Sequence, residues 1–132
     1  MSPASRRKAR AKRQREAYRR GRLSETLCGL LLRLKGYRIL ARDYRAPVGE
    51  IDIIARRGRT LALVEVKARA HVADAAESLL PRQRRRIARA AEHFLQFKPA
   101  LARLELRFDV MLVGRYRPPR HLVGAWRLED ER

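Results

Sequence analysis

A single cysteine, Cys28, in 132 residues excludes an internal disulfide and any metal site built from cysteines. Acids are scarce too: 14 Asp and Glu stand against 33 Lys and Arg, a formal charge of +19. A chain so unbalanced points to an anionic polymer, so nucleic acid is the expected partner, ahead of an anionic membrane surface. No apolar run reaches the roughly 18 residues that a membrane-spanning helix needs. No apolar segment of signal-peptide length follows the basic N-terminus, so export is not expected and a reducing cytoplasm is the simplest setting. Neither an internal repeat nor a second domain is visible, and the length suits one domain with a modest core.

What is present is mostly arginine, whose planar fork suits phosphate. Residues 1–22 hold ten Lys and Arg and one acid, Glu16. They read as a basic arm, disordered or partly helical, that neutralises phosphates; the plainer alternative is a solvated tail that aids solubility. The domain proper then runs over 23–127, and 128–132 reads as a frayed tail. Ser24 as N-cap and Gly36 as stop predict a helix over 24–35 with Leu27, Leu30, Leu31 and Leu34 as its inner stripe. A strand is expected over 37–44 and a loop over 71–77. Pro81 opens a helix over 82–97, with Ile87, Ala91, Phe94 and Leu95 inward. Its outer face carries Arg82, Arg85 and Arg89, flanked by Arg84 and Arg86, and charge of one sign there favours phosphate. Residues 104–113 alternate as a strand, with Phe108, Val110 and Leu112 on one side and Arg107, Asp109 and Met111 on the other. A short edge strand is expected at 121–126.

The centre of the chain is residues 48–69. Two apolar strands, 49–56 and 60–68, flank Gly58-Arg59, a pair suited to a type II′ turn. A two-residue loop sets Arg57 opposite Thr60, hence Asp52 opposite Glu65 and Glu50 opposite Lys67. Opposed side chains lie about 4.5–5.5 Å apart at Cβ. Two carboxylates so placed call for a cation or a shared proton. Residues two apart share a face, so Glu50, Asp52, Glu65 and Lys67 form one polar cluster within strands that are otherwise apolar. Packing alone does not select three acids and a lysine there.

The I-D strand followed by Glu65-Val66-Lys67 is the signature of the PD-(D/E)xK nuclease-like superfamily. Gly36-Tyr37 after an apolar helix, the 49–55 segment GEIDIIA, Val64-Glu65-Val66-Lys67 and Arg107-Phe108-Asp109-Val110 together resemble the YraN family of bacterial proteins over about residues 21–126. The resemblance implies a restriction-endonuclease-like α/β core: a mixed sheet of four to five strands flanked by two helices, in αβββαβ order. It implies Mg²⁺, with Mn²⁺ as a substitute, held by Asp52, Glu65 and the Val66 carbonyl, and Lys67 beside the attacking water and the scissile phosphate. Glu25 matches an acid that the superfamily often carries on its first helix. Gln83 stands where relatives often have Lys.

The expected activity is Mg²⁺-dependent phosphodiester hydrolysis of DNA, in preference to RNA. The nucleic-acid backbone would be held by Arg82, Gln83, Arg85, Arg86 and Arg89. Backbone contacts do not read sequence, so sequence-independent or structure-selective action, as on branched DNA, is expected in a bacterial cytoplasm or nucleoid. Glu50 is assigned either to Lys67 or to the metal through water. Two other readings stand beside this one: a non-catalytic nucleic-acid-binding module that keeps the nuclease fold, and a small ribosomal-RNA-binding protein with structural carboxylates. Monomer and homodimer remain open. Cys28 and Trp126 read as packing residues and His93 as a packing or surface residue. Asp109 is expected to cap a loop or bond across the sheet.

Overall fold

The structure is a computed structural model that describes residues 2–68, 79–114 and 117–128, the side chains of 16–20 excepted. The expected loop at 71–77 and the tail beyond residue 128 lie outside the described residues. The elements are α1 (Pro3–Leu34), β1 (Arg38–Ala46), β2 (Gly49–Arg57), β3 (Thr60–Lys67), α2 (Pro81–Gln96), a 3₁₀ turn (Pro99–Leu101), β4 (Glu105–Leu112) and β5 (Arg120–Trp126). The strands form one five-stranded sheet in chain order. All neighbours are antiparallel except β3 and β4. A parallel pair needs a crossover, and α2 lies within it. This is the αβββαβ order of a restriction-endonuclease-like core, extended by β5.

The hairpin has the expected register. Arg57 pairs with Thr60, and the pairing runs on to Ile53 and Val64. Gly58 has φ +59, while Arg59 is not among the positive-φ residues, as a type II′ turn requires.

α1 differs from expectation. It begins at a Ser2 N-cap, whose hydroxyl accepts from the Ser5 N–H at 3.1 Å, with Pro3 in the first turn. Ser24 therefore lies inside the helix and caps nothing. The arm is rich in Ala, Arg and Lys, all strong helix formers, so it continues the helix. The inner stripe is also rotated from the expected one. Cys28 and Leu32 are fully buried, whereas Leu27, Leu30 and Leu34 are 49%, 50% and 85% exposed. Leucines and other apolar residues cover more than half of this helix's circumference, so periodicity cannot choose a face. The small side chains at Cys28, Ala55 and Ala62 choose it, because they pack α1 onto the sheet.

The sheet separates two cores. On the α2 side Ile51, Ile54, Leu61, Leu63, Phe108 and Val110 pack with Ile87, Ala91 and Phe94. On the α1 side Cys28, Leu32 and Tyr37 pack with Ile53, Ala55, Ala62, Val64 and Met111. Trp126 is buried in the first core, stacked on Phe108 with ring centroids 4.0 Å apart. Gly49 sets how closely α2 approaches β2. A Cβ there would stand 2.1 Å from the Arg86 carbonyl oxygen, a backbone atom that cannot swing aside. Gly49→Ala is expected to push α2 outward and cost about 1–3 kcal/mol in chemical denaturation, as overpacking does. A variant as stable as the wild type would show that α2 does not dock here.

β2 makes an irregular step beside the hairpin. Ile51 faces the α2 core while Ile53 and Ala55 face the α1 core, and Ile54 faces the α2 core. Strict alternation would put Ile51 and Ile53 together, so the slip falls at Asp52. Its neighbour across β1 is Asp43, the residue between the Arg42–Ile53 and Tyr44–Ile51 pairs. Asp43 is the positive-φ non-glycine residue among those described, with φ +50. The paired irregularity takes Asp52 out of the packed faces and presents it at the mouth between α1 and the sheet.

Candidate metal and nucleic-acid site

The β2–β3 ladder ends at Ile53 and Val64, and one step further on stand Asp52 and Glu65. Their carboxyl groups hydrogen-bond to each other. The Val66 N–H, which a longer ladder would have given to β2, donates instead to Asp52 Oδ2 at 2.8 Å. A strand residue's N–H and C=O point to the same side, so the Val66 carbonyl also faces the gap beside Asp52. Here the backbone frees two of its own groups for the site.

Burial, then the neighbouring Asp52 charge, raises Glu65 from the ordinary carboxylate range to about 8, and burial likewise raises Asp52. Glu65 therefore keeps its proton at neutral pH in the absence of a cation. Lys67 Nζ lies 3.7 Å from Glu65 Oε1, both side chains about one-fifth exposed. The expected opposition of Glu50 and Lys67 is not part of the ladder. Glu50 pairs in register with Arg45 on the β1 side, while on the β3 side the ladder stops before it because Asp52 takes the Val66 amide. Glu50 is exposed but lines the clefts on both sides of the pair.

Three clefts converge here. One of about 750 Å³ lies under α1 and is lined by Glu25, Asp52, Glu65 and Val66, with Leu23 and Leu27 on the far wall. A second, about 530 Å³, opens toward β1 between Glu25, Asp52 and three arginines. A third, about 100 Å³, lies between Glu65, Glu50, Gln83 and Arg86. Glu25 thus reaches the pair from α1, and burial followed by the Asp52 charge raises its pKa. Among the described residues no group of three or more His, Cys, Asp and Glu is arranged as a protein-only metal cage. The donors that do meet are two carboxylates and a carbonyl, all hard oxygens. That set fits Mg²⁺, which binds through one or two carboxylates and takes its other ligands from water and substrate phosphate.

On α2, Arg82, Arg85, Arg86 and Arg89 are exposed. Gln83 acts locally, since its Oε1 accepts from the Leu80 N–H at 3.0 Å and caps the helix start. Arg84 is turned back, its Nε donating to the Leu79 carbonyl at 3.1 Å, over the Trp126 ring. Cys28 is a buried thiol pushed up to about 12, burial being the main cause, and is inert packing. His93 bonds to the Tyr44 hydroxyl and packs against Phe97.

Asp109 is fully buried and bonds across the sheet. Arg107 donates to it twice, through Nε to Oδ1 at 2.9 Å and Nη2 to Oδ2 at 2.8 Å, and the Gly124 N–H donates to Oδ1 at 2.9 Å. His121 Nε2 completes the set at 2.7 Å from Oδ2. Lys35 Nζ bonds to Nδ1 of the same ring; an ammonium only donates, so the ring proton sits on Nε2 and points at Asp109. Burial alone would raise Asp109, but the His121 and Arg107 bonds outweigh it and hold the acid below its ordinary range. This network is structural and stands apart from the three clefts.

Arg42, Asp43 and Arg45 on β1 were missed by sequence reasoning. Three charges within four residues of a strand were the available signal.

The profile of the uncharacterised protein family UPF0102 matches residues 24–113. A UPF0102 protein of Parvibaculum lavamentivorans is 60% identical over 111 residues, covering 84% of each chain. Another from Paramagnetospirillum magneticum is 50% identical over 117 residues, covering 86% of this chain and 91% of its own. One from Rhodopseudomonas palustris is 52% identical over 110 residues, covering 83% and 84%. No helix among the described residues is long and apolar enough to cross a membrane.

Proposed function

This chain belongs to the UPF0102 family, and we propose that in it the restriction-endonuclease-like core serves as a Mg²⁺-dependent DNA endonuclease that recognises backbone and shape rather than sequence. The observation that carries this reading is the Asp52–Glu65 pair, two acids hydrogen-bonded to each other at the end of a hairpin. Selection for packing alone would remove one of them; a site for a divalent cation needs both.

In this reading Asp52, Glu65 and the Val66 carbonyl hold Mg²⁺ or Mn²⁺. The ion, when bound, offsets charge on the scissile phosphate and lowers the pKa of a nearby water. The chain's own contributions are separate. The Val66 N–H fixes Asp52 in one orientation. Lys67, 3.7 Å from Glu65, would donate to the attacked phosphate and orient the attacking water. Glu25 adds a third acid from the opposite wall. The exposed α2 arginines and the basic α1 neutralise flanking phosphates, which makes binding strongly salt-dependent.

The test is incubation of purified protein with a labelled four-way junction and a linear duplex in Mg²⁺, in Mn²⁺ and in EDTA. Metal-dependent nicking that EDTA abolishes is the expected result. Salt-sensitive binding with no cleavage in either metal would refute the nuclease reading and favour the second one, a DNA-binding module that keeps the fold. The formal charge of +19 favours that alternative on its own.

A further inference from the structure

We infer that Arg42 on β1 seats the DNA phosphate next to the scissile one, so that one strand enters the site over β1 and leaves toward α2. This rests on the nuclease reading above and adds to it a subsite and a strand path. Arg42 pairs in register with Ile53, the residue after Asp52. One strand spacing and one residue step separate it from Asp52, about 6 Å at Cα, an offset on the scale of a nucleotide. It lines the β1-side cleft together with Arg22 and Arg45, and Glu25 and Asp52 are common to that cleft and the one under α1. The two spaces therefore adjoin at Glu25 and Asp52.

The chemistry of Arg42 suits a phosphate. Its Nη2 donates to Thr26 Oγ1 at 2.9 Å, and Thr26 Oγ1 donates in turn to the Arg22 carbonyl at 2.9 Å. The guanidinium is thus braced between a strand and α1 by a neutral hydroxyl. Only one of its five donors is spent on Thr26. A braced fork loses little entropy on binding an oxyanion and can take it through two parallel bonds. Arg45 is a weaker second contact, 69% exposed and paired with Asp43 at 3.4 Å. If these arginines served only to offset the nearby acids, removing Arg42 would leave DNA affinity unchanged.

The experiment is fluorescence anisotropy of the labelled junction in EDTA, as a function of salt, for wild type, Arg42→Ala, Arg42→Gln and Arg85→Ala. Arg42→Gln retains a donor to Thr26, so it separates lost phosphate contact from lost folding; circular dichroism checks both variants. Both Arg42 variants are expected to bind about tenfold more weakly, with a salt slope shallower by about 1. Once the wild type has been shown to cleave, Arg42→Gln should raise KM with kcat nearly unchanged, as loss of a ground-state phosphate contact does. Folded variants with wild-type affinity and slope would overturn the Arg42 assignment and leave the nuclease reading intact. A wild type that does not bind DNA at all would overturn both.

Discussion

Glu65→Gln is expected to reduce Mg²⁺-dependent DNA cleavage by about a thousandfold or more while making the metal-free protein more stable above pH 8. The two effects have one origin. Glu65 and Asp52 are forced together by hairpin register, and burial raises Glu65 to about 8. A neutral amide keeps the size of the side chain and a hydrogen bond to Asp52, but removes half of the charge that holds the ion. The loss of a ligand removes charge neutralisation at the reacting phosphate, which is worth several kcal/mol of barrier. Above pH 8 and without metal, the same change relieves repulsion in a mostly buried site. A rise in Tm of a few degrees, about 1 kcal/mol, is expected. Gel assays of nicking and thermal unfolding measure the two outcomes separately. Opposite signs for activity and stability mark a residue kept for function at the expense of the fold. A variant that loses both would make Glu65 a structural residue.

Asp109→Ala carries the largest expected stability loss. The carboxylate is fully buried and takes bonds from Arg107, His121 and Gly124. Removing it strands a buried imidazole N–H and a partly buried guanidinium, at a cost of about 3 kcal/mol. Asp109→Asn should cost less, since one amide oxygen still accepts from Arg107 or Gly124, although its NH₂ then opposes a donor. Its pH dependence also has a definite sign. Asp109 is held below its ordinary range, so its contribution is present above the unfolded value near 3.8 and is lost as pH falls through the lower folded value. Denaturation midpoints between pH 5 and pH 2 check this: the wild type should lose stability across that window more steeply than Asp109→Asn.

The sequence carried the hairpin well because its information is local. Gly58 needs positive φ, the strands alternate, and a two-residue turn leaves one register in which Asp52 meets Glu65. Trp126, Cys28 and the two faces of β4 were legible for the same reason. The face of α1 was not, because Leu23, Leu27, Leu30, Leu31, Leu32 and Leu34 wrap most of the helix and only tertiary fit selects among them. Glu50 does join the cluster, its charge adding to burial in raising both Asp52 and Glu65, but the expected pairing with Lys67 fails because register alone does not reveal that a side chain will end a ladder. Asp52 captures the Val66 amide, so the β2–β3 ladder stops before Glu50 reaches Lys67. Arg42 and the Lys35–His121–Asp109 chain depend on residues 12 to 86 positions apart, beyond the reach of any spacing rule.

Thermal unfolding with and without Mg²⁺ at pH 5 and pH 8.5 is the most direct test of a cation site at Asp52 and Glu65. Because the folded pKa of Glu65 is raised to about 8, the stability that comes from its proton is complete below the ordinary value of 4.5 and is lost as pH rises through 8. Mg²⁺ should therefore raise the wild-type Tm at pH 8.5, where the proton has left, and hardly at all at pH 5. Glu65→Gln should respond at neither pH. An equal Mg²⁺ response at both pH values, or one that survives in Glu65→Gln, would contradict a divalent cation between these two acids.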